Sequence, residues 1–290
     1  MSDYEMNSEA GVSTVTVLLA HAAARIGGES GRLDAELLVA HALGHARAWL
    51  YSHTDEMIGA DALARIEPLI AARVRGAPIA QLLGRRGFWT LEIEVTPDTL
   101  IPRPETELLV ELALARIPRD RVVRILDLGT GSGAIALAIA AERPLAHVTA
   151  VDASQPALSV ARRNAEALRL RNIDFARGDW FAPVEGQRFE AIVGNPPYIA
   201  ADDPHLETGD LRFEPRVALV SGHDGLDAIR CIARDAPAHL EHGGWLLLEH
   251  GWTQGMAVHE LLIAAGLREV ETRHDLEQRD RVTLGRRVAS

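Results

Sequence analysis

The sequence predicts an α/β protein, a doubly wound and mostly parallel sheet preceded by a small helical domain. Three observations predict it. Beyond residue 107, apolar runs of strand length (RVVRILDLG, HVTAVDA, FEAIVGN, GWLLLEHG) alternate with helical stretches (GAIALAIAAE, QPALSVARRNAEALR, GLDAIRCIARDAPAHL, QGMAVHELLIAAG). Strands continuous enough to be buried on both faces, with a helix between each pair, are the mark of a parallel sheet covered on both sides. A glycine-rich turn joins the first of these strands to its helix, and residues 13–75 carry helical patterns only.

Taken in order, STVTVLLAHAAARIGG opens on Ser/Thr and stops at Gly-Gly, and RLDAELLVAHALG stops again at Gly. Asp61 is placed to cap a third helix, ALARIEPLIAARVRG, in which Leu63, Ile66, Leu69, Ile70 and Val74 share one face. His41 and His45 stand four apart, as helical metal ligands can. No Glu follows His41 and no third ligand is evident, so both read as helix-surface histidines and no metal is expected. From Phe88 the stretch FWTLEIEV alternates and is rich in β-formers, and the Pro-punctuated TPDTLIPRPETE follows; together they read as a hairpin and connector. The tail EVETRHDLEQRDRVTLGRR has two strand-like pieces with no helix between, which predicts an antiparallel hairpin at one edge. The division is therefore a helical domain over 1–84, a hairpin and connector over 85–106, and the sheet domain over 107–290. Segment 1–12 carries no motif.

Composition bounds the function classes. Of 290 residues, 47% are hydrophobic and 24% charged, the balance of a soluble globular chain. No apolar run reaches membrane-spanning length, and Asp3, Glu5 and Glu9 stand where a secretory signal would be basic, so the expected location is the cytoplasm. The single cysteine, Cys231, cannot form an internal disulfide and is expected as a small buried residue of a helix. A net charge of −11 opposes general binding to a phosphate backbone. Arg73, Arg75, Arg85 and Arg86 are close in sequence and read as scattered solvated arginines.

The strand RILDLG runs into Gly129, Thr130, Gly131, Ser132 and Gly133 before a helix begins. Alternating glycines let backbone N–H groups and the helix start approach a ligand. Asp152 ends the next strand, VTAVD, where its carboxylate can accept from ribose hydroxyls. A nucleoside cofactor follows. Gly129 to Ala134 also satisfies the dinucleotide pattern G-x-G-x-x-G/A. Asp127 decides between the two, because a carboxylate before the loop suits a cationic amino-acid moiety and not a pyrophosphate. S-adenosylmethionine carries an ammonium, a sulfonium and a ribose; its adenine could lie against Trp180 of GDWF with Asp179 near the exocyclic amine.

The strand FEAIVGN leads into Pro196, Pro197 and Tyr198 at the carboxyl edge of the sheet, where doubly wound folds place ligands. The prolines donate nothing to the ladder but keep their carbonyls as acceptors. The Asn195 side chain and the Pro196 carbonyl can together hold both N–H groups of a planar amino or amide group, with the Tyr198 ring on its face. Aligned on a methyl sulfonium, such a nitrogen needs no strong base.

DLGTGSGAIALAIA, AVDAS with its following ARRNA, GDWF, NPPYI, DPHLETGDLRFEPRVAL, LLLEHGWTQG and RDRVTLGR, preceded by LIPRPETELLVELAL, resemble the peptide chain release factor N5-glutamine methyltransferases, the PrmC or HemK family. The resemblance runs from about Ile79 to Arg287. It implies a seven-stranded, class I methyltransferase-like sheet and an adenosylmethionine-dependent transfer to the glutamine of the Gly-Gly-Gln motif in bacterial release factors. It also implies cofactor contacts from Gly129 to Gly133, Asp152 and Trp180, and an amide held by Asn195, Pro196, Pro197 and Tyr198. Asn-Pro-Pro-Tyr is shared with adenine-N6 methyltransferases of DNA or RNA, which is the alternative enzyme; a third reading is a binding module of the translation apparatus with an idle catalytic core. Whether Phe88, Phe213, Glu249 or His250 touches substrate is not readable from the sequence.

Overall fold

The computed structural model describes residues 13–288, so the features noted at 1–12 lie outside the described residues. Two compact units divide at Gly84 and Arg85.

In the first unit a two-residue strand β1 (Ser13–Thr14) leads into α1 (Val15–Ile26), α2 (Gly31–Leu43) and α3 (Arg47–Ser52). Strand β2 (Met57–Ile58) pairs antiparallel with β1, and α4 (Ala60–Val74) and α5 (Ile79–Leu83) complete the unit. Thr14 caps α1 by accepting from the Val17 N–H, and Gly27 and Gly44 end α1 and α2 with positive φ, so the Ser/Thr start and glycine stops act as the sequence predicts. Val15, Leu19, Leu38, Val39, Leu50, Ile66 and Ile70 form its core. The third cap is different. Gly59, not Asp61, is the N-cap of α4, and Asp61 sits in its first turn, where a carboxylate favours the helix dipole. Val74, expected on the buried face, is 48% exposed. Arg73 is not a solvated arginine, because it pairs at 2.7 Å with the buried Asp34 carboxylate. The short α3 went unpredicted, and His45, expected on a helix surface, lies between α2 and α3, where it stacks on Trp49, which stacks in turn on His53, the C-cap of α3, at centroid spacings of 4.3 and 4.2 Å.

The second unit opens with a hairpin, β3 (Arg85–Phe88) and β4 (Leu91–Glu94), followed by α6 (Glu107–Arg116). Then strands and helices alternate, except that only a short 3-10 turn joins β7 to β8: β5 (Val123–Leu128), α7 (Ala134–Glu142), β6 (Ala146–Asp152), α8 (Gln155–Ala167), β7 (Ile173–Arg177), β8 (Phe189–Gly194), α9 (Asp227–His239), β9 (Leu240–Glu249) and α10 (Gly255–Ala264). Strands β10 (Arg268–His274) and β11 (Asp280–Arg286) end it. The seven-stranded sheet has the order β10-β11-β9-β8-β5-β6-β7; its inner strands are parallel and the terminal pair forms the antiparallel edge the tail predicts.

Period-two alternation sorts the strand residues between two cores. Ile125, Val193 and Leu247 face the side packed with Leu109 and Leu137, whereas Leu126, Ile192 and Leu246 face Ile229, Ile232, Val258 and Leu262. Cys231, on α9, is half-buried, short of the burial expected of it. Among the described residues no helix is long and apolar enough to cross a membrane.

Register then places the site. Leu128 pairs with Val151 on one side and Gly194 on the other, and Gly194 pairs with Leu248, so β5, β6, β8 and β9 end level. After β5 the chain winds outward through β6 and β7, then returns to β8 on the opposite flank. The crevice at this switch point is where a doubly wound sheet binds ligands.

Candidate active site

Gly129, Gly131 and Gly133 all adopt positive φ (73°, 55° and 88°), the left-handed region that a side chain disfavours, which is why the turn from β5 to α7 alternates glycine. The Gly129 and Thr130 N–H groups donate to the Val151 carbonyl, and a Cβ on Gly133 would lie 2.9 Å from Leu137 Cδ1. The loop is fixed from a distance by Asn164 of α8. Its Nδ2 donates to the Ser132 carbonyl at 2.9 Å and to the Glu94 carbonyl, while its Oδ1 accepts from the Glu94 N–H.

Asp152 Oδ2 accepts from the Gly131 N–H and Oδ1 from the Ser154 N–H, both at 2.8 Å. Burial raises its pKa, against those backbone donors, which lower it. Asp127 is fully buried beneath the loop. Its Oδ2 accepts from the Thr130 hydroxyl at 2.6 Å while Oδ1 has no partner, and burial, with Asp152 nearby, pushes it up to about 7. A buried carboxyl oxygen left unsatisfied is costly, so this atom is suited to a donor or cation supplied from outside the chain.

A cavity of about 200 Å³ opens above these groups, lined among others by Gly129, Gly131, Asp152, Asp179, Trp180, Asn195 and Pro197. Thr130, Ser132, Gly133 and Asp127 do not line it; they shape the loop from below. Residues that sequence reasoning did not assign to the site also line it, Asp98 to Leu100 and Pro215, Val217 and Ala218. Glu214 ties these two segments together, since its buried carboxylate accepts from the Ile101 N–H and pairs with Arg103 at 2.5 Å. The stretches IPRPETE and RFEPR are thus joined across 113 residues.

A second, smaller hollow of about 50 Å³ adjoins it, lined by Arg103, Pro196, Tyr198, Ile199 and Leu211. Asn195, Leu100 and Ala218 line both. The Asn195 Nδ2 donates to Thr106 Oγ1 at 3.2 Å, which leaves Oδ1 to accept. Tyr198 is held through its backbone carbonyl, which accepts from Gln254 Nε2 at 3.0 Å. Gly225 passes so close that a Cβ there would lie 2.2 Å from the same carbonyl oxygen. Burial, then the nearby Glu249, raises the Tyr198 pKa, so the phenol stays neutral.

Residues 105–211 match the family model described as the methyltransferase small domain, and residues 17–84 match the PrmC N-terminal domain. A release factor glutamine methyltransferase of Xylella fastidiosa is 57% identical over 93% of this chain and 96% of the relative. Its counterpart in Escherichia coli is 49% identical over 89% of this chain and 93% of the relative. The chain belongs to the release factor glutamine methyltransferase family. A T. thermophilus 16S rRNA N2 G1207 methyltransferase, solved with AdoMet and guanosine, is 21% identical with a TM-score of 0.53 over 70% of this chain and 49% of that one; this likeness concerns the fold alone.

For a release factor glutamine methyltransferase the remaining open residues divide cleanly. Phe88 is 2% exposed and packs in the core beside the hairpin. His250 is fully buried and bonded to Thr283 Oγ1 at 2.8 Å. Phe213 lines neither hollow, its ring lying under the Arg212 guanidinium. Glu249, at the end of β9, is fully buried and both its carboxyl oxygens lack a hydrogen-bond partner. Thr106, Asn164, Glu214, Gly225 and Gln254 were missed as supports of the site. Nothing local marks them, because each acts on a segment far away in sequence.

Proposed function

We propose that this protein transfers a methyl group from S-adenosylmethionine to the side-chain amide nitrogen, N5, of the glutamine in the Gly-Gly-Gln motif of bacterial peptide chain release factors, and that it does so in the cytoplasm. The observation that carries this reading is Asn195, which lines both the 200 Å³ cavity and the hollow behind it. A donor held in the first and an acceptor nitrogen held in the second would meet at this side chain.

The larger cavity fits adenosylmethionine. Asp152 retains acceptor capacity for ribose hydroxyls beyond the two backbone donors it holds, since each carboxylate oxygen has two lone pairs. The Trp180 ring offers a face for adenine with Asp179 beside it, and Gly129 and Gly131 leave room for close approach. Asp127 lies beneath the loop with Oδ1 unpartnered, and a cationic amino-acid end held above the loop would favour its ionised form. When bound, the cofactor supplies a methyl group on a sulfonium, which is a good leaving group.

In the smaller hollow, Asn195 Oδ1 and the Pro196 carbonyl accept the two amide N–H groups and the Tyr198 ring packs on the amide plane, while Pro197 lines the larger cavity next to it. Partial positive charge develops on the nitrogen during transfer, and two fixed acceptors stabilise it. Alignment provides the rest. The formal charge of −11 supports a protein substrate over a nucleic acid. The helical unit, which matches the PrmC N-terminal domain, is the surface that docks the folded factor. Binding energy from that remote surface is needed because a neutral glutamine offers little of its own.

The test is incubation with labelled adenosylmethionine and a bacterial release factor, followed by mass identification of the labelled residue. Label on the Gly-Gly-Gln glutamine is expected, and label on adenine of added DNA or RNA instead would transfer the case to the nucleic-acid reading. A chain beginning at Arg85 should keep cofactor binding and lose most of its catalytic efficiency toward the whole factor, but much less toward a Gly-Gly-Gln peptide. Equal losses on both would remove the docking role.

A further inference from the structure

An asparagine that must present its oxygen to a substrate faces a problem of polarity. The side-chain amide fits its space equally well turned by 180°, and the turned form would aim Nδ2 at the substrate's own N–H groups. Here the amide is oriented by Thr106, whose Oγ1 accepts from Asn195 Nδ2. A hydroxyl is an ambiguous partner, because it can donate as readily as accept, and if its proton pointed at Asn195 the wrong amide orientation would be the favoured one. Something must take the Thr106 proton away from Asn195. Thr106 is 4% exposed, so water is not at hand, and although it occupies the N-cap position of α6 its side chain makes no capping bond there.

The acceptor is in place. Glu249 ends β9 with its side chain fully buried, on the strand beside Asn195, since Gly194 pairs with Leu248 and each residue lies one position beyond that pair. Its oxygens make no hydrogen bond in the structure; burial raises its pKa to about 7, and the Thr106 hydroxyl, Arg281 and the Tyr198 hydroxyl pull the other way, toward the ionised form, while Glu105 adds to the rise. A fully buried carboxyl with no hydrogen bond is costly, and the Thr106 and Tyr198 hydroxyls are the donors nearest at hand to satisfy it.

We propose that Glu249 is a positioning residue for the methyl transfer: it accepts the Thr106 hydroxyl, so that Thr106 Oγ1 can only accept from Asn195 Nδ2 and Asn195 Oδ1 is aimed at the substrate amide. The three side chains then form a chain of one polarity, Asn195 N–H to Thr106 O–H to Glu249. The Tyr198 hydroxyl is the natural donor to the second Glu249 oxygen, so the same carboxylate steadies the ring expected against the amide plane. This inference rests on the amide-holding role of Asn195.

The experiment uses the full chain with adenosylmethionine and a release factor, measuring kcat and KM together with cofactor Kd by calorimetry. Thr106→Val, which keeps the shape and removes the hydroxyl, should lower kcat about 10-fold with cofactor Kd changed less than about twofold, the loss expected of one misdirected buried hydrogen bond. Thr106→Ser should restore kcat to within about threefold of the parent, a rescue that packing alone would not give. Glu249→Gln, whose amide can donate to Thr106 and so scramble the polarity, should lower kcat several-fold at unchanged KM, and it carries the test by itself if Thr106→Val does not fold. The double variant Thr106→Val with Glu249→Gln should be no slower than the slower single variant. Parental kcat in Glu249→Gln, or losses that multiply in the double variant, would overturn the proposal. An Asn195→Ala enzyme with parental kcat would instead overturn the amide-holding reading beneath it.

Discussion

Replacing Asn195 by Ala removes one acceptor and changes little else in the fold, because the residue lies just past the end of β8 and, among the described residues, its side chain bonds to Thr106. The free enzyme loses that bond in the ground state and in the transition state alike, so it cancels from the rate. What does not cancel is the substrate N–H that Oδ1 would have accepted. Left buried and unsatisfied, it costs about 1–3 kcal/mol, which is roughly a 5- to 150-fold fall in kcat if the bond is made only in the transition state. Asn195 also lines the larger cavity, but with Asp152, Gly129, Gly131 and Trp180 intact the cofactor Kd should move by no more than about threefold. Single-turnover methylation of a release factor measures the first quantity, and calorimetry with adenosylmethionine the second. A folded Asn195→Ala protein that methylates at the parental rate would refute the assignment. So would a cofactor Kd that weakens by the same factor as kcat, since Asn195 would then be acting on the cofactor and not on the amide.

Asp152→Ala should weaken adenosylmethionine binding by about 2 kcal/mol or more, roughly 30-fold, because it removes charged acceptors for the ribose and also releases the Gly131 and Ser154 N–H groups; near-parental affinity in calorimetry would take Asp152 out of the site. Gly225→Ala forces a Cβ to 2.2 Å from the Tyr198 carbonyl oxygen at a φ of 78°, so kcat toward the factor should fall while cofactor binding is spared, and an unchanged kcat would show that Tyr198 is not fixed by this contact. Burial raises Glu249 from an ordinary 4.5 to about 7, so between those pH values the folded chain holds a proton the unfolded chain has lost. Stability should therefore decline as pH rises through that window, by up to about 3 kcal/mol from this group, with Asp127 adding in the same sense. Glu249→Gln should flatten the decline in denaturant melts taken at pH 5 and pH 8, and an equally steep decline in that variant would place the titration elsewhere.

The parts of the fold that the sequence disclosed are those governed by local rules. β5 and α7 were legible because a strand buried on both faces reads as an unbroken apolar run and the turn after it needs positive φ at three alternating positions, which only glycine adopts without cost. The edge hairpin was legible from two strand patterns with no helix between. What stayed hidden was short or set by tertiary contact: α3 and α5 are six and five residues long, too short for periodicity to register. The cap of α4 moved from Asp61 to Gly59 because an N-cap is chosen by backbone geometry as well as by side chain.

The same division runs through the site. Residues proposed to touch a ligand stand out in the sequence because ligand chemistry is concentrated in loops at strand ends, where each unusual residue contrasts with an apolar strand. Residues that hold those loops were not found, since their partners are 89 residues apart for Asn195 with Thr106, 32 for Asn164 with Ser132, and 113 for Glu214 with Ile101. Nothing in a linear string distinguishes a threonine in IPRPETE that orients an asparagine from one that merely begins a helix. Its hydroxyl gains that role only when the parallel register sets β8 beside β9, which puts Asn195 and Glu249 one residue beyond the paired Gly194 and Leu248. Sequence therefore shows which atoms the chemistry needs, and the sheet decides which of their neighbours keep those atoms pointing the right way.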